Sequence, residues 1–250
     1  MGPGYDDMVE VYDLAIRGSP SPQKWGFFIF RTTYKDEGLW NNYITHIRHQ
    51  ASLFLRRQEH ASELMSHLNL TVMDDATLLD GASKDEVREI FRKMVYKLPE
   101  EGDPANGIPD ADEREDTPRY TQCVYVDDEC LESYSQLDWG KVGELRQRLK
   151  LDEKEDFTWF EPDPFLIVLN CQDDDDERLS RYPEDEDAAP DIEEGMEEVD
   201  MSWMPVECRW LTLFYAKLVA DWYDYWEDGF YFCNPGEDEP MRPWRDALDV

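Results

Sequence analysis

An apolar run that halts at an acidic turn and passes directly into a helical repeat constrains this chain more than any other feature. Residues 25–34, WGFFIFRTTY, are rich in aromatic and β-branched residues and free of proline, as a buried strand requires. KDEG follows, placing acids where a helix begins, favourable against the positive end of the helix dipole. Leu39, Tyr43, Ile44, Ile47, Ala51, Phe54 and Leu55 then recur at helical spacing, while Asn42, Arg48, Arg56 and Arg57 fall off that face. Strand, turn and core helix account for the whole stretch without any chemistry.

The same grammar recurs along the chain. LNLTVMDD, residues 68–75, reads as a second short strand. Ser83 with Glu86 three residues on forms a capping box, and Val87, Ile90, Phe91 and Met94 give the following helix, 84–98, an apolar face that ends at Pro99. RYTQCVYVDDECLESY, residues 119–134, is a strand running into a short helix, and WGKVGELRQRLKL is a further helix weakened by Gly143. DPFLIVLNC, residues 163–171, is the most apolar strand and is expected at the centre of the sheet. A long aromatic-rich helix is expected from near Pro205, because proline suits a first helical turn. The sum is a single α+β domain: a small mixed β-sheet covered by helices at 36–58, 84–98 and 206–226. Residues 1–23 read as a flexible leader, 24–232 as the domain and 233–250 as a C-terminal tail on the surface.

Charge narrows the partners. Of 250 residues, 59 are acidic and 25 basic, a formal net charge of −34. Residues 172–200 contribute −13 of it and residues 99–119 a further −6. Such a chain repels bare nucleic acid and anionic membrane surfaces and attracts a basic protein. The aromatic content of 13% nevertheless marks a packed protein. Five cysteines, none in a CxxC pair, argue against zinc. The first residues lack the basic and apolar regions of a signal peptide, and no apolar run approaches the roughly 20 residues that span a bilayer. These features place the chain in a reducing compartment, cytoplasmic or nuclear.

Four blocks, WGFFIFRTTYKDEGLW, LLDGASKDEVREIFRKMV, YTQCVYVDDECLES and WMPVECRWLTLFYAKL, resemble in order an uncharacterised family of acidic fungal proteins. The similarity covers much of residues 25–220 and omits the acidic loops. It implies a fungal source and a shared architecture and carries no activity. Pro205 stands where the family most often has lysine, a departure at the expected helix entry.

Candidate chemistry has a bland counterpart at each place. Asp127, Asp128 and Glu129 end one strand, and Asp36 and Glu37 follow another; on one sheet edge they could share a divalent ion, but the expected role is helix capping, with Asp127 or Asp128 as the N-cap and Glu129 in the first turn. His46 and His49 have the spacing of a weak metal pair without a third ligand, so surface or boundary histidines are expected. Cys123 or Cys130 as nucleophile would need a base that no motif supplies, and GxGxxG, P-loop, GxSxG and HExxH patterns are absent. No cofactor or metal is expected. Trp222, Tyr225 and Trp226 line one side of a late helix, as core or as a docking surface rimmed by acids. Arg31, Tyr34 and Arg119 are the polar residues expected to converge wherever a pocket forms between sheet and helices.

Two functions follow: a non-enzymatic protein-interaction or regulatory protein that engages a basic partner, or a small fungal enzyme or accessory protein of specialised metabolism. Nucleic-acid mimicry, a third idea, requires acids held at regular spacing on rigid structure. Residues 99–118 and 172–200 are expected to be mobile and dispensable for folding. Replacing either with a short Gly-Ser bridge should leave a cooperative thermal transition, and loss of folded protein would refute that.

Overall fold

The computed structural model describes residues 7–17, 22–149, 163–171 and 203–220. The chain opens with α1 (Asp7–Tyr12), continued by a π-helical turn, Asp13–Arg17. β1 (Phe28–Arg31) leads into α2 (Glu37–Leu55) and α3 (Ala61–His67), then β2 (Thr71–Met73). Next come α4 (Ala76–Leu79), α5 (Lys84–Tyr96), α6 (Ala111–Glu115) and α7 (Pro118–Thr121), which abuts β3 (Gln122–Val126). α8 (Asp128–Ser135), α9 (Trp139–Leu149), β4 (Phe165–Asn170), β5 (Trp203–Glu207) and α10 (Leu211–Ala220) complete the described chain.

The five strands form one mixed sheet, β2-β1-β3-β4-β5. β1 pairs in parallel with both β2 and β3, whereas β3–β4 and β4–β5 are antiparallel. Parallel neighbours need long crossovers, and the helices between β1 and β2 and between β2 and β3 supply them. Alternation along β1 divides the core. Phe28 and Phe30 meet Phe91 of α5 edge-on, at 6.1 and 6.2 Å between ring centroids. On the opposite face Trp25 and Phe27 meet Tyr215 of α10, at 5.4 and 5.1 Å. Both faces of the sheet are thus covered, and this is a single α+β domain.

Helix entries follow the local code. Ser83 and Glu86 make the capping box of α5, and the side chains of Asp36, Asp75, Asp110 and Asp127 cap α2, α4, α6 and α8. Among the described residues no helix is long and apolar enough to cross a membrane.

Several expectations change. Within the supposed leader, residues 7–17 are helical and bury Met8, Val11 and Ala15, with α1 against α10 and Tyr12 stacked on His60 at 4.0 Å. The centre of the sheet is β3, buried along its whole length, and β4 lies one strand further out. Pro205 enters no helix: it lies within β5, opposite Ile167. β5 is an edge strand, where a missing N–H does not break the ladder. The helix that follows begins only after a 3-10 turn, Cys208–Trp210.

Residues 99–118 are also built rather than loose. Asp103 and Ile108 form an antiparallel bridge, and Gly102, at φ 73°, sits where a Cβ would lie 2.7 Å from the Ile108 carbonyl oxygen. Arg114 is buried and donates through Nη1 to the carbonyls of Pro99 (2.8 Å) and Pro109 (2.9 Å). An acidic, proline-bearing composition reads as disorder, yet one guanidinium gathers the turn around itself. Residues 172–200 and 233–250, the second acidic loop and the C-terminal tail, lie outside the described residues. Arg114→Ala strands two buried carbonyls and should cost about 2–3 kcal/mol in urea denaturation. An unchanged midpoint would show that residues 99–118 are dispensable after all.

Candidate functional site

Because β1 and β3 run parallel, the turns after them share one edge of the sheet. The chain leaves β1 towards β2 on one side and returns as β3 on the other, so this edge is a topological switch point, the place where open α/β sheets bind ligands. Both acidic turns, Asp36-Glu37 and Asp127-Asp128-Glu129, lie there.

Arg31, the last residue of β1, organises the edge. Its side chain is 2% exposed; Nε donates to the Thr33 carbonyl (2.9 Å), Nη2 to Glu37 (2.7 Å) and Nη1 to Asp74 beyond β2 (3.3 Å). The guanidinium lies over the rings of Tyr34 and Trp40, at 4.3 and 4.8 Å. Burial opposes its charge, but Glu37 and Asp74 outweigh that and raise its pKa. Glu37 is held below the ordinary carboxylate range by its hydrogen bond from Arg31. The Tyr34 hydroxyl is buried beside Asp74 without a well-formed hydrogen bond, and burial first, then Asp74, pushes it up to about 12.

Across the switch point, Asp128 accepts from the Thr33 hydroxyl and pairs with the Lys35 ammonium. Those two donors, Lys35 foremost, depress its pKa. Asp127 accepts from the Cys130 N–H (3.1 Å) and Asp36 from the Leu39 N–H (2.8 Å), each capping its helix. The two turns do share an edge, but Asp36 and Asp127 are committed to caps and Glu37 and Asp128 to cations. Among the described residues no group of three or more His, Cys, Asp or Glu side chains could hold a metal ion.

Arg119 does not join Arg31 and Tyr34. It sits at the opposite end of β1, donating to the carbonyls of Asn69 (2.7 Å) and Gly26 (3.2 Å) and to the Thr71 hydroxyl (2.9 Å), over the Phe28 ring at 4.2 Å. Burial lowers its pKa. Its fork of donors ties the entries of β1 and β2 together. Trp222, Tyr225 and Trp226 lie outside the described residues.

A second cluster escaped the sequence reading. His46 is a boundary histidine, as expected, but with an unforeseen partner: its side chain is 10% exposed, with Nε2 2.7 Å from Oδ1 of Asp163, which is itself 3% exposed. The other Asp163 oxygen accepts the Arg209 N–H at 2.7 Å. Tyr134 and Trp139 meet the imidazole edge-on at 5.6 and 5.3 Å. The pair ties α2 to the entry of β4 and to the turn after β5. Its partners lie 117 residues apart, so no local pattern announces it.

No described cysteine has a base poised beside it to activate its thiol. Cys123, Cys130, Cys171 and Cys208 are buried with free thiols, and burial drives the first, second and fourth well above the ordinary thiol value.

Comparison of the chain with protein-family models, with curated proteins and with solved structures finds no match.

The carboxylates at the switch point set an acid sensitivity. With folded pKa values below the unfolded ones, the pairs of Glu37 and Asp128 contribute fully above the unfolded values and are lost as pH falls through the folded ones. The Glu37→Gln, Asp128→Asn double variant should therefore show a flatter denaturation midpoint between about pH 5 and pH 2 than the parent. Superimposable profiles would show that neither pair matters to folding.

Proposed function

We propose that the protein is an intracellular, non-enzymatic interaction or regulatory protein that presents carboxylates to a basic protein surface, and that it belongs with the acidic fungal family its four sequence blocks resemble. One observation carries this reading. Asp36, Glu37, Asp74, Asp75, Asp80, Asp128 and Glu129 are exposed along the carboxyl edge of β1, β2 and β3, facing two cations, the buried Arg31 and Lys35. Several of these acids are fixed by caps and by the Arg31 network, so the negative edge is mounted on rigid structure. Rigid charge gives orientation and fast encounter with a partner of opposite sign. Arg31, Tyr34 and Thr33 act inward, holding that edge in shape, and His46 and the four described cysteines are tied into packing. Trp222, Tyr225 and Trp226 would add the salt-insensitive, apolar part of the contact.

A second reading, a small enzyme or accessory protein of specialised metabolism, draws support from the switch point itself and, separately, from the enclosed His46–Asp163 pair.

Affinity capture from fungal lysate distinguishes the two. Attraction screened over about 8 Å should retain a basic protein at roughly 50 mM salt and release it at roughly 500 mM. Neutralising Asp75, Asp80 and Glu129, which lie outside the Arg31 network, should weaken retention roughly five- to tenfold, whereas Trp226→Ala should speed dissociation at every salt concentration. Retention of no basic protein, together with a small molecule carried by the native protein in mass spectrometry, would favour the enzyme.

A further inference from the structure

Two of the buried thiols face each other. Cys123 lies in β3 opposite Leu169, and Cys171 follows β4 by one residue, with its N–H bonded to the Thr121 carbonyl at 2.9 Å. Residues 169 and 171 point to the same side of their strand, so the Cys171 side chain lies on the same face as Cys123. The two sulfurs are 3.5 Å apart, and neither is in a disulfide. The other two described cysteines have different neighbours: Cys130 Sγ donates to the Tyr125 carbonyl and Cys208 Sγ to the Tyr43 hydroxyl.

The surroundings tie this pair to the acidic run. Cys171 is the last described residue before residues 172–200, which connect β4 to β5. Arg88 and Arg92 of α5 hold that exit, donating to the carbonyls of Asn170 (3.1 Å) and Cys171 (2.8 Å).

We propose that Cys123 and Cys171 form a redox modification site, closing reversibly to a disulfide by exchange with a low-molecular-weight disulfide. The Cys171 thiolate, nearer the strand end, attacks the oxidant's S–S bond and releases one thiol. Cys123 gives up its proton and attacks the Cys171 sulfur of the mixed disulfide, releasing the second. Two protein thiols are oxidised and one disulfide is reduced to two thiols. The sulfurs must close from 3.5 Å to about 2.05 Å, and because the two cysteines are diagonal rather than direct neighbours, the end of β4 must shift towards β3 as the side chains rotate. Once formed, the bond fastens the root of the acidic run to the central strand. Exchange should be slow, because the oxidant reaches the pair only when the end of β4 opens. This inference stands apart from the interaction reading.

The full chain is equilibrated without oxygen in glutathione buffers of increasing oxidised fraction, acid-quenched, alkylated and analysed by mass spectrometry. Expected is a species two hydrogens lighter in which only three of the five cysteines take up the alkylating reagent. Its disulfide-linked peptides should contain Cys123 and Cys171, and a reductant should restore all five thiols. Cys171→Ala should abolish the species; its folding is checked independently by circular dichroism. Five alkylated thiols at the most oxidising ratio would overturn the proposal, as would glutathione adducts alone or a bridge mapped to another pair.

Discussion

β1 is hydrogen-bonded in parallel on both sides, and the rest of the molecule is arranged around that fact. A parallel strand cannot reach its neighbour through a hairpin, so the chain must cross over twice, once towards β2 and once back past β1 to β3. The crossovers carry helices onto the sheet, and Phe30 of β1 meets Phe91 of α5 there, while Phe27, just before β1, meets Tyr215 of the later α10. The direction of β1 and β3 also brings two acidic turns, distant in sequence, to a common edge. The site is a product of strand direction before it is a product of any side chain.

Arginine is how this acidic protein closes its irregular segments. Arg31, Arg88, Arg114, Arg119 and Arg209 are all buried, a costly place for charge unless its donors are used. Four of them direct donors at backbone carbonyls where strands or turns begin and end: Thr33, Asn170, Pro99 and Pro109, Gly26 and Asn69. The planar fork serves several acceptors at once, which a lysine ammonium does less well: Arg114 and Arg119 each reach two carbonyls, and Arg31 and Arg88 each join one carbonyl to a carboxylate. Acids play the complementary part at helix entries, where Asp36, Asp75, Asp110 and Asp127 bind backbone N–H groups. Much of the charge inside the fold is therefore backbone chemistry.

The described residues hold 29 acidic and 19 basic side chains, so they account for −10 of the net −34. The greater part of the negative charge belongs to the remainder of the chain. What the described residues add is placement: carboxylates along one sheet edge at the carboxyl ends of three strands.

Periodicity and capping signals, read within a turn or two of chain, the sequence alone determined. The aromatic run of β1, the helical repeat of α2, the Ser83–Glu86 box and the Asp127 cap each depend on residues within one or two turns of one another, and each is found where its pattern places it. Tertiary structure decided what depends on distant partners. Pro205 is acceptable in a strand only because β5 lies at an edge, and residues 99–118 hold their shape only because Arg114 is enclosed. Likewise Arg31 and Arg119, both expected beside one pocket, end up at opposite ends of β1, and His46 finds Asp163 across 117 residues. Periodicity and capping are set by neighbours along the chain, whereas strand order, edge position and burial of charge are set by which segments meet in space.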